Sequence, residues 1–364
     1  NAGYDIRFIF KYLHKVSLIE RGRSLLRGEA MFFKTPVIIQ DSYAHIPMKL
    51  SAFGKTFGLD CEKEIIPYCL YSKKNIKERY LPIKKCIDGV RYQHSVNNIG
   101  KPNTSADSLI KMFLDNAERW NCIKGDTIDI INYSDQYCKM DCEVLEQGYE
   151  TFKYWIGEIT GLDIDNYCSL PSVANDAMGE CFQGVYQVSA IPRQFIQMAM
   201  VGGRTMCAEN KKWFIEGKQV DDFDAVSLYP SAMNRLGGYL KGKPKMLTKL
   251  NYEFLEKQDG YFVEIQIKSV GIHRKFPLMS KVSDKGVRIF TNEMIGEKIV
   301  VDKITLEDLI KFQAVKFDVI RGYYYNEGRN TELAPTIKGF FDERVKQKKQ
   351  GNPIQNVYKL LMNS

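Results

Sequence analysis

The sequence predicts a mixed α/β protein built from several domains. Apolar residues recur at helical spacing through much of residues 106–182, and from about residue 211 the pattern changes to the alternation that is typical of strands. Helical spacing returns between residues 337 and 364. The chain has 364 residues, of which 44% are hydrophobic and 26% charged. This composition is that of a globular protein, and the length suits two or three domains.

The first 59 residues mix short helical and strand patterns. The run Val37–Ile39 predicts a buried strand, and Phe53 and Phe57, which are four apart, predict a short helix. Residues 60–105 are polar, and we expect them to be irregular.

Three helices are expected in the next part of the chain. The first covers residues 106–120. The second, residues 134–159, begins with Ser134 and Asp135, which are suited to cap a helix N-terminus. The third covers residues 172–182.

The pattern from residue 211 onward indicates strands. Trp213–Ile215 and Val220–Phe223 flank Gly217, which predicts a hairpin. Residues 260–269 alternate apolar and polar side chains, as a half-buried strand does. Shorter strands are expected at Ile299–Val301, Val315–Ile320 and Tyr323–Tyr325. The chain then continues as two basic helices that are separated at residues 351–353.

Charge and cysteine content limit the classes of function. The net charge of +8 permits a polyanionic partner without requiring one. The nine cysteines all lie at or before Cys207 and lack paired zinc spacing, so we expect structural thiols in a reducing compartment. No apolar run is long enough to span a bilayer, and no signal peptide is present, which indicates an intracellular protein without a membrane partner. Because the chain begins with Asn1 rather than Met, we expect a fragment or a processed product.

The segment Asp224-Ala225-Val226-Ser227-Leu228-Tyr229-Pro230-Ser231 carries the strongest chemical signal. It predicts a strand that ends at a carboxylate, followed by a tight turn rich in backbone N–H groups. A carboxylate that can hold Mg²⁺ beside amides that can hold phosphate suits phosphoryl transfer. Asp221 and Asp222 are alternative metal ligands, and Asp222 projects to the same face of a strand as Asp224.

The two C-terminal helices carry a second set of candidates. Arg344 and Lys348 are four apart, and Lys359 and Asn363 repeat that spacing after the turn. Basic residues on one side of a helical pair could clamp a triphosphate. One alternative is that these residues only form a solvated basic face. Another is that the neighbouring Lys346 and Lys349 contact the triphosphate instead of Arg344 and Lys348.

These two segments resemble motif A and the opening of motif B of the family B DNA polymerases. The motif A match is Asp224 to Ser231, and the motif B match is Lys359-Leu360-Leu361-Met362-Asn363-Ser364. The resemblance implies that Asp224 binds metal and that Tyr229 lies under the sugar and excludes ribonucleotides. It implies that the incoming dNTP contacts Arg344, Lys348, Lys359 and Asn363.

Further upstream, Asn1-Ala2-Gly3-Tyr4-Asp5 and Tyr137-x-x-x-Asp141 resemble the second and third motifs of the 3′–5′ exonuclease domain of these enzymes. The resemblance implies that Asp5 and Asp141 bind metal, that Tyr137 orients the attacking water, and that Asn1 positions a single-stranded end. Two weaker likenesses imply DNA contacts. Ser42 occupies the place of a Ser-Leu motif, and Gly202, Gly203 and Arg204 resemble a Tyr-x-Gly-Gly linker in which Met200 replaces the tyrosine.

The resemblance implies a domain order: a ribonuclease-H-like exonuclease domain at 1–185, a linker and the start of the palm at 186–240, an insertion at 241–335, and the start of helical fingers at 336–364. The insertion is similar to that of the protein-primed branch, which phages, linear plasmids and some viruses carry. We therefore expect two Mg²⁺ or Mn²⁺ ions per active site, and as partners primer-template DNA, single-stranded DNA, dNTPs and a terminal protein that supplies the priming hydroxyl.

Two alternative hypotheses fit the sequence: a non-catalytic DNA-binding remnant of a polymerase, and a stand-alone ribonuclease-H-like nuclease. The first exonuclease motif and motif C of the family are expected outside this chain. Because two-metal catalysis needs carboxylates on more than one side of the ions, we expect the 364 residues alone to be inactive.

Overall fold

A computed structural model of the chain describes residues 2–22, 24–98 and 105–364. The helices, in chain order, are α1 (Ala2–Ile9), α2 (Ser42–His45), α3 (Phe53–Phe57), α4 (Lys73–Glu78), α5 (Ile83–Asn97), α6 (Asp107–Arg119), α7 (Ile130–Thr160), α8 (Leu170–Ala177), α9 (Ala190–Met198), α10 (Leu228–Arg235), α11 (Tyr252–Glu256), α12 (Lys303–Gln313), α13 (Leu333–Lys349) and α14 (Gln355–Met362). None of the helices in these described ranges is long and apolar enough to cross a membrane.

The strands, in chain order, are β1 (Leu13–Arg21), β2 (Ser24–Phe32), β3 (Thr35–Gln40), β4 (Tyr80–Pro82), β5 (Ile123–Lys124), β6 (Thr127–Asp129), β7 (Tyr239–Leu240), β8 (Lys245–Met246), β9 (Gly260–Val270), β10 (Ser280–Val282), β11 (Arg288–Phe290), β12 (Lys298–Asp302), β13 (Val315–Tyr325) and β14 (Arg329–Asn330). The mixture of helices with several small sheets confirms the α/β multidomain class.

The chain divides into two compact units. The first comprises residues 1–177 and 340–364, and the second comprises residues 178–339. The boundary after Gly339 falls within α13. The four-domain division that the sequence suggests stays a prediction.

The first unit contains two antiparallel sheets and two helical cores. The sheets have the orders β1-β2-β3 and β4-β6-β5. One core joins α3, α7, α8 and α14, and the other joins α5, α6 and the beginning of α7. The 31-residue helix α7 takes part in both cores, so it is the scaffold of this unit.

The second unit is centred on a four-stranded antiparallel sheet of order β12-β9-β13-β8. In β9 the predicted alternation is confirmed: Tyr261, Val263, Ile265 and Ile267 are buried while the side chains between them are not. Helix α12 packs its buried Leu306 and Leu309 against this face, as these leucines belong to the same core. The strand predictions at 315–320 and 323–325 form one continuous strand, β13.

Several predicted boundaries differ from the structure. Helix α7 begins at Ile130, because Asp129 caps it by accepting hydrogen bonds from two backbone N–H groups, while the Ser134 hydroxyl donates to a carbonyl within the helix. The helix expected at 172–182 ends at Ala177 and is followed by a short 3₁₀ turn. Strand β3 forms as predicted, but its Ile38 is 59% exposed rather than buried.

Two expectations about whole segments were wrong. The polar stretch 60–98 contains α4, β4 and α5, because Cys86, Gly89 and Val90 form a narrow buried stripe at helical spacing. The hairpin expected at 213–223 is absent: residues 211–227 are all described and form neither helix nor strand. A strand needs a neighbour for its backbone hydrogen bonds, and Phe223 is 90% exposed with no such neighbour.

Candidate functional site

Tyr137 and Asp141 lie one turn apart on α7 and face the same side of the helix. The Tyr137 side chain is buried and that of Asp141 is 24% exposed. Lys63 joins them: its Nζ donates to the Tyr137 hydroxyl and to Asp141 Oδ2, both at 2.5 Å. The ammonium also lies 4.8 Å from the centre of the Tyr137 ring. The structure therefore assembles a Lys–Tyr–Asp cluster from two parts of the chain.

Lys63 was not predicted from the sequence. It is one of 52 basic residues, and it lies in the polar stretch that was expected to be irregular. Its neighbours hold the segment in place: the Cys61 thiol donates to Gln147 on α7, and Glu64 accepts hydrogen bonds from Asn116 and Arg119 on α6. No local pattern marks a lysine that meets its partner 78 positions later.

The electrostatics of the cluster keep Tyr137 neutral. Burial, a hydrogen bond to Tyr68 and the charge of Asp141 all raise the pKa of the Tyr137 hydroxyl above its ordinary value. The Tyr68 hydroxyl stands 3.4 Å from it, on a side chain that is 64% exposed. A neutral phenol can both donate and accept a hydrogen bond, as a residue that orients water must.

One observation shows that Asp141 fits a cation. Its Oδ1 atom is buried and has no hydrogen-bond partner, although Oδ2 is held by Lys63. Carboxylate oxygens are the ligands that Mg²⁺ and Mn²⁺ prefer. Across the described ranges, however, no group of three or more His, Cys, Asp and Glu side chains could enclose a metal ion. Asp5, the other predicted ligand, is exposed on α1.

Asn1 and Ser42 are the predicted DNA contacts of this unit, and Asn1 lies outside the described residues. Ser42 begins α2, whose N-terminus is capped by Asp41, and it lines an open cavity of about 470 Å³ together with Tyr149 and Cys142 of α7. Three residues further on, His45 is fully buried, and its Nε2 stands 2.8 Å from the Tyr167 carbonyl.

Asp224 lies in the second unit, in the irregular segment before α10. Both Asp224 and Tyr229 are exposed. Ser227, in the left-handed region with φ of 49°, turns the chain into α10, so the first N–H groups of this helix follow the aspartate closely. Of the two rival carboxylates, Asp221 accepts a hydrogen bond from Gln219, and Asp222 is exposed like Asp224.

The Gly202-Gly203-Arg204 linker approaches this segment. A Cβ atom on Gly203 would lie 3.9 Å from the Tyr229 hydroxyl. Arg204 is anchored in the protein: it donates to the carbonyls of Phe276 and Pro277, and its guanidinium stands 5.9 Å from the centre of the Phe290 ring. Its structural contacts are thus defined, and a DNA contact stays a prediction.

The basic residues predicted to clamp the triphosphate belong to the first unit, whereas Asp224 and Tyr229 belong to the second. Lys348, Lys359 and Asn363 are exposed and Arg344 is half-buried. The alternative Lys346 is exposed and forms an ion pair of 3.1 Å with Glu343.

Solved structures with the same fold come from the DNA polymerase of phi29. The complex of that enzyme with primer-template DNA matches with a TM-score of 0.59 and 16% identity, over 100% of this chain and 56% of that chain. Its ternary complex with incoming nucleotides matches with a TM-score of 0.54 over 95% of this chain. At this level of identity the likeness shows a shared fold, that of a DNA polymerase.

The sequence comparisons identify the family. A probable DNA polymerase of Ascobolus immersus is 24% identical over 279 residues, which are 72% of this chain and 22% of the relative. The model of the DNA polymerase type B family, organellar and viral, matches residues 1–364. The chain belongs to this family, and the resemblance drawn from its motifs is confirmed. It spans only part of the length of the relatives it matches.

Proposed function

We propose that the chain is part of a DNA-directed DNA polymerase with 3′–5′ proofreading. Because the 364 residues alone are expected to be inactive, extension and excision are measured in the intact enzyme. The observation that carries the proposal is the Lys63–Tyr137–Asp141 cluster, in a chain that also carries the Asp224–Ser231 segment and belongs to a DNA polymerase family. A nuclease alone needs neither a sugar-contacting tyrosine nor basic helices for a triphosphate. A polymerase that corrects its product needs these nucleotide-contacting residues in addition to the excision cluster.

In excision, the residues of α7 act on the last phosphodiester of a single strand. Tyr137, kept neutral, holds the attacking water by a hydrogen bond. Lys63 fixes Oδ2 of Asp141, whose Oδ1 has no hydrogen-bond partner, so Asp141 would hold a divalent ion, with Asp5 as the second proposed ligand. Mg²⁺ or Mn²⁺, when bound, would stabilise the charge that develops on the phosphate. Asn1 and Ser42 are the proposed contacts of the strand.

In synthesis, Asp224 is the proposed ligand of the catalytic ions, and Tyr229 the proposed gate against ribonucleotides. Arg344, Lys348, Lys359 and Asn363 are the proposed contacts of the dNTP. Gly202, Gly203 and Arg204 are proposed to contact the template backbone, since glycines allow close approach of phosphates.

Protein priming is the finer part of the proposal. Its support is the organellar and viral family and the insertion between Asp224 and Lys359. A terminal protein is the proposed partner, and the host cytoplasm or an organelle is the proposed location. Incubation with labelled dNTP and candidate partners tests this: no transfer of nucleotide to a Ser, Thr or Tyr hydroxyl of any of them contradicts protein priming.

Two carboxylate variants test the two activities separately. Asp224→Asn should lower primer extension more than about 100-fold and spare excision, because residues that merely support a metal ligand are already worth 10- to 100-fold. Asp141→Asn should lower excision and spare primer extension. Asp222→Asn, exposed and two residues from Asp224, is the matched control. Loss of extension in Asp222→Asn with retention in Asp224→Asn would contradict the assignment.

A further inference from the structure

Helix α7 carries two cysteines one turn apart, Cys138 and Cys142, and both are exposed. Side chains four apart on a helix are neighbours, with Cβ atoms about 5–6 Å from each other. Tyr137 and Asp141 immediately precede these cysteines in the sequence, so the two thiols lie on the adjoining face of the same two turns of α7.

The pair is distinct among the cysteines of this chain. All nine are free thiols. Cys138 and Cys142 are the two that stand three or four positions apart in the sequence, so they alone share neighbouring turns of one helix. Cys86, Cys122 and Cys181 are buried, and the exposed Cys69 and Cys207 belong to different units.

The two thiol sulfurs of this pair limit which ligands it can bind. A structural zinc ion takes four ligands, and a group of three or more suitable side chains is absent from the described part of the chain. The pair therefore offers two sulfur atoms and nothing more. Trivalent arsenic that carries one aryl group forms two further bonds, which two thiol sulfurs can supply. Cβ atoms about 5–6 Å apart on adjacent turns of a helix allow both sulfurs to reach one arsenic atom. We propose that Cys138 and Cys142 form a dithiol site for trivalent organoarsenicals.

The bridging step balances without a redox partner. With phenylarsine oxide, two S–H bonds break and two As–S bonds form. The oxygen of the oxide leaves with both protons as one water molecule, and arsenic stays trivalent. No net proton is taken up or released.

Occupancy of the pair has a consequence that rests on the proposed function. Cys142 lines the open cavity that is also lined by Ser42 and Glu146. An aryl group held by the two sulfurs would stand at this cavity, where a single strand is proposed to pass. Bound arsenical should therefore slow excision and leave primer extension unaffected.

The first test measures binding rather than activity. Native protein is mixed with phenylarsine oxide in the presence of millimolar glutathione, and the intact mass is recorded. We expect one adduct, equal in mass to the reagent less one water, which peptide mapping assigns to Cys138 and Cys142 and which 2,3-dimercaptopropanol removes. Cys138→Ser and Cys142→Ser should each weaken binding by about 10²- to 10⁴-fold, since the second bond is intramolecular.

Controls separate this site from general thiol reactivity. Cys69→Ser and Cys207→Ser remove single exposed thiols and should bind as the unmodified protein does. A bridge that maps to another pair, or equal binding by Cys142→Ser, overturns the proposal. The ratio of excision with and without arsenical is then measured in each variant. An adduct on the pair without slower excision rejects the obstruction and leaves the dithiol site standing, whereas absence of excision in every sample bears on the proposed function alone.

Discussion

Lys63 shows how one side chain shapes the excision site. It lies between two acceptors, the Tyr137 hydroxyl and Asp141 Oδ2, and its own side chain is 26% exposed. A cation in this position orders the carboxylate before any divalent ion binds. It is a positioning residue, because it acts through Asp141 and Tyr137.

Lys63→Met should lower the rate of excision by about 10- to 100-fold, the usual effect of losing a group that supports a metal ligand. The measurement is single-turnover excision of single-stranded DNA at several Mg²⁺ concentrations, where the variant should need more Mg²⁺. Lys139→Met, also near this turn of α7 but exposed and paired with Asp135, is the control. Equal Mg²⁺ dependence in both variants would contradict a positioning role.

Through Asp129, the contribution of the start of α7 to folding stability depends on pH. Burial favours its protonated form, but the hydrogen bonds from Arg79 and from two backbone N–H groups outweigh burial and lower the pKa of Asp129 below 3.8. A carboxyl whose pKa is lowered by folding adds stability above its unfolded value, and that stability is lost as the pH falls through the folded value. The relevant window therefore lies below about pH 4.

Asp129→Asn should cost about 1–3 kcal/mol at pH 7, because it removes the carboxylate charge that accepts hydrogen bonds from the Arg79 guanidinium, while the amide oxygen can still cap the helix. Below pH 4 the difference from the unmodified protein should shrink. Urea unfolding at a series of pH values measures both effects, with the exposed Asp126→Asn as control. A constant difference down to pH 2 would contradict the assignment.

At the scale of elements, α7 depends on a close approach at Gly148. A Cβ atom there would lie 2.3 Å from Cδ2 of Phe53 on α3, which is buried in the same core. Glycine ordinarily weakens a helix, so its presence in the middle of α7 is explained by this contact.

Gly148→Ala should therefore destabilise the first unit by about 1–3 kcal/mol through overpacking. Gly157→Ala, on the same helix, is the matched control, because its Cβ would meet nothing closer than 3.9 Å. That change should be neutral or stabilise by up to about 1 kcal/mol. Thermal unfolding of the two variants compares them directly, and equal melting temperatures would show that Phe53 yields without cost.

Prediction from sequence worked for elements whose pattern is local. The strand β9 and the helices α6, α7, α13 and α14 were anticipated, because each buries one stripe or face of its own residues. It failed for residues 211–227, whose apolar side chains resemble those of a strand. Whether such a segment becomes a strand depends on a neighbour, and a neighbour cannot be read from the segment itself.

At the scale of the whole molecule, the two units differ in how the chain builds them. Residues 178–339 form the second unit from one continuous segment, whereas the first needs residues 340–364 in addition to 1–177. Val357 and Leu361 of α14 are almost fully buried in its core beside α3 and α7. The end of this chain thus completes the packing of its beginning.

Residues 178–339 expressed alone should keep the four-stranded sheet, as judged by circular dichroism and cooperative unfolding. Removal of residues 340–364 from the full chain should destabilise the first unit by more than about 4 kcal/mol, since two large buried side chains are lost. The double change Val357→Ala and Leu361→Ala, which keeps α14, separates core packing from helix deletion. Unchanged unfolding of the first unit after the deletion would contradict this account.

The sequence by itself determined the α/β class, the family motifs, and the positions of Asp224, Tyr229, Tyr137 and Asp141, because periodicity and motif spacing are local properties. Only the tertiary structure decided that Lys63 meets Asp141 across 78 positions and that α14 completes the first core. It also decided that Asp224 follows an irregular segment instead of a strand. Contacts between distant residues depend on how elements pack, and that packing is a property of the whole chain.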